Sequence, residues 1–164
     1  MQLPKKMTRP SPPSAATAVR RASLADVAAL SNLYVDFLAS YGHPADSKAV
    51  IAFLQALVAE PWVTFFVAVD DAHKVVGFCG CTLSYSAVLH ATAITIEDMF
   101  VQLSARRQGV ATALCNAVEM HARDKKFANV FLQTAPEAAS AIALYKKVGF
   151  ETRPYLAMSK VLSK

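Results

Sequence analysis

Met99-Phe100-Val101-Gln102-Leu103-Ser104-Ala105-Arg106-Arg107-Gln108-Gly109-Val110-Ala111-Thr112 reads as the end of a strand, a short turn and the start of a helix. Such a junction favours an anion. A glycine lets the backbone turn tightly and approach a ligand, and the unpaired amides of a first helical turn point outward at the positive end of the helix dipole. A phosphate is the natural guest. The Walker form, Gly-x-x-x-x-Gly-Lys-Ser/Thr, and the dinucleotide form, Gly-x-Gly-x-x-Gly, are both missing from this loop. One glycine with flanking arginines therefore points to another phosphate-bearing cofactor, with an ordinary strand-to-helix turn as the alternative.

Outward from this loop the periodicity is clear. Downstream, Val110, Ala113, Leu114, Ala117, Val118 and His121 share one helical face, and Asn129 to Gln133 forms the next strand. Thr134-Ala135-Pro136-Glu137 offers cap-like residues before a short helix with Ile142, Leu144 and Tyr145, ended by Gly149. A last strand is expected over Tyr155 to Val161. Upstream, Ala91 to Val101 reads as a strand, and Val63 to Asp70 and Val75 to Ser84 as a β-hairpin. Ser23-Leu24-Ala25-Asp26 resembles a capping box before a helix that stops at Gly42. A second helix starts at Asp46 and exits at Pro61, and Ala18 to Arg21 is a short first strand. Interleaved strands and helices predict a mixed-sheet α/β (α+β) domain over residues 17–164, after a disordered basic, Pro/Ser-rich lead-in over residues 1–16.

Composition narrows the classes. The 164 residues, 54% hydrophobic and 18% charged, suit one globular domain with a real core. No apolar stretch approaches the roughly 20 residues needed to span a bilayer. The net charge of +5 comes from Lys5, Lys6, Arg9, Arg20 and Arg21, since residues 22–164 hold 12 bases and 12 acids. A formally neutral body argues against a nucleic-acid face. Cys79, Cys81 and Cys115 form no disulfide framework, and neither they nor His43, His73, His90 and His121 have metal-ligand spacing. The expectation is a cytoplasmic protein with no metal, and Met7 offers a second start site.

Arg106-x-x-Gly109-x-Ala111, preceded by Ile96-Glu97-Asp98-Met99-Phe100-Val101, resembles the acetyl-coenzyme A signature of the GNAT N-acetyltransferase superfamily. Ala141-Ile142-Ala143-Leu144-Tyr145-Lys146-Lys147-Val148-Gly149-Phe150 looks like that family's later segment. The acidic strand and helix tyrosine look most like its diamine and thialysine acetyltransferase branch. The resemblance implies a strongly twisted sheet of about six or seven strands, flanked by about four helices. A V-shaped split between Ala91–Val101 and Asn129–Gln133 would receive acetyl-CoA.

The cofactor contacts it implies are Met99, Phe100, Val101, Arg106, Arg107, Gln108, Gly109, Val110, Ala111 and Thr112. Relatives commonly carry asparagine seven residues before the tyrosine; here that residue is Ala138, and Gln133, Thr134 or Ser140 is left to compensate. Dimers are common in the resembling family.

An alkylamine with a pKa of about 10.4 is protonated at neutral pH, so attack on a thioester needs a proton acceptor. Glu97 is the candidate base and Asp98 the second choice. On a regular strand the two face opposite sides, and both reach one site only across a bulge, which the resemblance implies. Tyr145 matches the family's general-acid position, and a backbone amide near Phe100 is the candidate oxyanion donor. Tyr34, Asp36, Tyr41 and Tyr85 are candidates for the acceptor side. The expected reaction moves acetyl from acetyl-CoA to a primary amine of a small molecule by direct attack. The alternatives are a protein or peptide amine, and a non-catalytic acyl-CoA sensor.

Overall fold

The computed structural model describes residues 17–154 and 157–160, which divide into two units at Gln133/Thr134. In the first unit the strands are β1 (Ala18–Arg21), β2 (Val63–Val69), β3 (Val75–Ser86), β4 (Ala91–Val101) and β5 (Val130–Leu132). The helices are α1 (Val27–Ser40), α2 (Ser47–Ala59) and α3 (Val110–Asp124). The strands form one sheet in the order β1-β2-β3-β4-β5, antiparallel throughout except for the parallel β4–β5 pair. The second unit holds α4 (Ala139–Lys147).

This is the expected mixed α/β architecture with four helices, but the described sheet has five strands rather than six or seven. Of the expected last strand, Tyr155, Leu156 and Val161 lie outside the described residues, and residues 157–160 are not in a strand. The expected cap of the last helix also differs. The residue before α4 is Ala138, whose methyl group offers no acceptor, and no side chain caps that helix.

Alternation along the strands divides the sheet into two faces. Val63, Phe65, Val67, Val69 and Phe78 join Val27, Leu30, Leu33, Tyr34, Val50 and Leu54 of α1 and α2 in one core cluster. Burial of these apolar groups is the main driving force for that layer. On the opposite face Phe66 meets His121 of α3 edge-on at 5.6 Å. Gly77 sits beneath the start of α3, where an added Cβ would come within 3.3 Å of Val110 Cγ1 and 3.0 Å of the Phe100 carbonyl oxygen. The missing side chain at Gly77 is therefore what lets the helix begin so close to the sheet.

α1 is preceded by a 3-10 turn, Leu24–Asp26, locked by one carboxylate. Asp26, only 7% exposed, accepts from the Ser23 amide at 2.8 Å, from the Ser23 hydroxyl at 3.0 Å, and from both Arg20 guanidinium nitrogens at 2.9 and 2.7 Å. The Arg20 hydrogen bonds, helped by Ser23, outweigh desolvation and hold its pKa at about 2 against an ordinary 3.8. A carboxylate depressed in the folded state adds stability above its unfolded pKa and loses it as pH falls toward the folded one. Because Arg20 is half exposed, Asp26→Asn is expected to cost about 1–2 kcal/mol at pH 7. The difference from the parent should shrink between about pH 4 and pH 2, as urea unfolding at both ends of that window would show.

Candidate active site

Register along β4 builds the site. Gly80 of β3 pairs with Asp98 and Cys81 with Ile96, so Glu97 is the extra residue of a β-bulge. A bulge breaks alternation and re-aims side chains. Asp98, opposite Gly80, falls on the Phe78 face and accepts from the Tyr34 hydroxyl at 2.5 Å. Glu97 accepts from the hydroxyl of Thr82 at 2.5 Å. Thr82 lies two and four residues from Gly80 and Phe78 on β3 and so shares their face. Both carboxylates therefore serve the same side of the sheet, the side covered by α1 and α2.

Their environments differ. Glu97 is exposed and Asp98 half-buried. Burial raises the Asp98 pKa, the Tyr34 hydrogen bond opposes that rise, and the neighbouring Glu97 charge adds to it. Burial, then the bond to Asp98, also pushes the Tyr34 phenol well above its usual range. Among the described residues the ion pairs are Arg20–Asp26, Arg123–Glu119 and Arg153–Glu151, so no protein cation neutralises Glu97 or Asp98.

β4 then runs past its parallel neighbour. β5 pairs with Ile94, Thr95 and Ile96 only, whereas β4 continues to Val101. From Glu97 on, the β5-side edge of β4 has no strand against it among the described residues. The chain next makes a 3-10 turn, Leu103–Ala105, and enters α3.

Buried Ala105 and Val110 anchor the two ends of this loop while Arg106, Arg107, Gln108 and Gly109 stay exposed. Arg107 (φ +63°) and Gly109 (φ +85°) are both left-handed. Such alternation turns successive amides toward one concavity, a nest for anions. The first bond closing α3 runs from the Ala113 amide to the Gly109 carbonyl, and no side chain caps the helix. The amides of Val110, Ala111 and Thr112 are thus left without helical acceptors at the positive end of the dipole.

Two side chains stiffen the loop. Arg106 Nε donates to the Val101 carbonyl at 2.9 Å while its guanidinium lies 5.4 Å from the centre of the Phe100 ring, and Gln108 Nε2 donates to the Ser104 carbonyl at 3.0 Å. An added Cβ at Gly109 would meet no atom within 4 Å, so the concavity is open there. A cleft of about 150 Å³ beside the loop includes Asp70 and Asp71, whose charge repels phosphate, so the amide side is the anion-compatible one.

Of the residues singled out in the sequence, Glu97, Asp98 and Tyr34 come together, and the stretch from Met99 to Thr112 leads away from them as one strand and loop. Met99, opposite Cys79, and Val101, opposite Gly77, point to the α3 face, so they border the site by backbone only. Asp36 lies on α1 two residues after buried Tyr34 and is exposed. Tyr85, 83% exposed, is five residues along β3 from Gly80 and on the other face, so neither it nor Asp36 joins the carboxylates.

In the second unit Ser140 is exposed in the first turn of α4, and Tyr145 is half-buried with its ring edge-on to Phe150 at 5.7 Å. Thr82 escaped notice because its value lies in cross-strand register, which a list of catalytic residue types does not show. Cys79, Cys81 and Cys115 are buried behind the sheet; the Cys81 contact and burial raise the Cys79 thiol, and burial pushes Cys115 up to about 11. High-pKa, inaccessible thiols are poor nucleophiles.

A strand with a bulge, an open strand edge and an amide nest thus lie along one stretch of chain, ending in a helix start that suits an anion. Residues 28–150 match the Acetyltransferase (GNAT) family, and the chain belongs to it. Human N-acetyltransferase 8 is 34% identical over 97 residues, 59% of this chain and 42% of that protein. YhfO of Bacillus subtilis (strain 168), an uncharacterised N-acetyltransferase, is 26% identical over 133 residues, 81% of this chain and 89% of that one. The chain thus spans less than half of the human relative and most of the bacterial one. A probable acetyltransferase of known crystal structure superposes with a TM-score of 0.82 at 23% identity, over 90% of this chain and 99% of that one, which supports the fold.

Proposed function

We propose that the chain transfers acetyl from acetyl-CoA to a primary amine of a small molecule, within one domain from residue 17 onward. The observation that carries this reading is the bulge at Glu97: it sets two carboxylates, with no cation partner among the described residues, on one face, on the strand that leads directly into the amide nest. The nest fits the donor. Amides from Arg107 to Ala111 and the Thr112 hydroxyl would hold its diphosphate, Gln108 and Arg106 would keep the loop in shape, and the open edge of β4 at Met99, Phe100 and Val101 would take its arm. Ser140 is the proposed further contact where Ala138 offers none.

Glu97 then removes a proton from the acceptor ammonium, directly or through water, since the protonated amine has no lone pair to attack with. As the new N–C bond forms and the C–S bond breaks, the backbone amide near Phe100 receives the developing oxyanion, the Tyr145 phenol protonates the leaving sulfur, and the second proton of the attacking nitrogen passes through water to the resulting phenolate. Both substrates react together, so no cysteine nucleophile is needed.

The test is release of coenzyme A thiol from acetyl-CoA across small amines and peptide N-termini. We expect turnover with small amines, and Tyr145→Phe to lower it by about 10²-fold at unchanged acetyl-CoA affinity in calorimetry. Tight acetyl-CoA binding with no thiol release for any acceptor would instead indicate a sensor.

A further inference from the structure

Around Asp98 lies an array of rings that the transfer chemistry does not require. Tyr34 stacks on Phe78 at 5.2 Å and meets Phe37 at 5.5 Å and Phe53 at 6.1 Å. Phe37 in turn meets Tyr41 at 5.1 Å and Phe100 at 6.1 Å. Phe78 is fully buried, but the outer members are not: Tyr41 is 67% exposed and Phe53 49%, far more than core aromatics. At one end of the array Tyr34 holds Asp98, which no cation among the described residues neutralises. At the outer end neither Tyr41 nor Phe53 has a side-chain charge bonded to it among the described residues.

We propose that this array is the acceptor-binding wall, and that the acceptor is a primary amine on an apolar, ring-sized body. Its ammonium would sit against Asp98 and Glu97, and its body against Phe37, Phe53 and Tyr41. The inference rests on the amine-transfer reading and specifies its substrate. The charge complementarity is direct: a half-buried carboxylate favours a cation through Coulomb attraction, and the rings beyond it offer an apolar body its burial. A polyamine would leave its further charges against uncharged rings, and a polyhydroxylated amine would leave its hydroxyls unbonded there.

The experiment compares kcat/KM for phenethylamine, putrescine and kanamycin at saturating acetyl-CoA, and measures phenethylamine binding by calorimetry. It uses the parent, the double variant Tyr41→Ala/Phe53→Ala, and Phe37→Leu, which keeps an apolar group where truncation risks the fold. Phenethylamine should exceed putrescine and kanamycin at least ~tenfold, and this ratio should fall about tenfold in the double variant, whose exposed positions leave its melting curve near the parent's. Phe37→Leu should lower the ratio in the same direction. Preference for putrescine or kanamycin, or equal losses for every amine, overturns the proposal while leaving amine transfer intact. If no amine releases coenzyme A, the transfer reading fails. Calorimetry then decides the wall: phenethylamine binding weakened in the double variant supports it, and no binding overturns it.

Discussion

Glu97→Gln is expected to lower kcat by about 10²–10⁴-fold, the range a positioned general base supplies, while acetyl-CoA still binds. The amide is nearly isosteric and its oxygen still accepts from Thr82, so the bulge and its 2.5 Å cross-strand bond should persist. Only the proton acceptor is lost. The pH profile makes the assignment specific. An amine of pKa about 10.4 has only a few molecules in ten thousand unprotonated at pH 7, and that fraction rises tenfold per pH unit until the pKa is approached. The variant, relying on amine already deprotonated in solution, should gain rate with that slope, and the parent should rise less steeply. Steady-state rates from pH 7 to 9.5 check this; parallel profiles with unchanged kcat would remove Glu97 from the chemistry.

Gly109→Ala should raise the acetyl-CoA dissociation constant at least ~tenfold while costing little of the fold. Placing alanine at φ +85° costs about 1 kcal/mol of backbone strain. The new methyl would touch no protein atom within 4 Å, so it brings no steric penalty to the folded chain. The affinity falls because alanine resists the left-handed φ that turns the amides of this loop toward one anion. Calorimetry for affinity and thermal melting for stability separate the two effects. A lowered melting temperature with unaltered affinity would place the donor elsewhere.

Hydrophobic period made most of the fold legible. β4 runs over Ala91–Val101 as its β-branched and aromatic content implies, and α1, α2 and α3 follow their apolar stripes. The strand count was not legible: the sixth strand read over Tyr155 to Val161 falls partly outside the described residues, and residues 157–160, with Met158 88% exposed, are in no strand. The start of α4 misled for a physical reason: Thr134 and Glu137 are cap-type residues, but the helix begins after Ala138.

Within the site, the loop from Arg106 to Thr112 was visible because a glycine with flanking arginines between a strand and a helix start suits an anion. The bulge was not visible from the residues alone. Glu97 and Asp98 are adjacent, and alternation assigns them to opposite faces unless register slips by one. The slip appears only when Gly80 and Cys81 are seen opposite Asp98 and Ile96. The aromatic wall likewise needs tertiary structure, since Phe37, Phe53, Phe78 and Phe100 come from four different elements.

The central claim is that the amide nest before α3 holds the diphosphate of the acetyl donor. It is tested most directly by following backbone amide resonances of the ¹⁵N-labelled protein as acetyl-CoA is added. The account predicts that Gly109, Val110, Ala111 and Thr112 shift most and saturate together, and that inorganic pyrophosphate added alone shifts the same four. Saturable binding that moves other amides and leaves these four unmoved would contradict it.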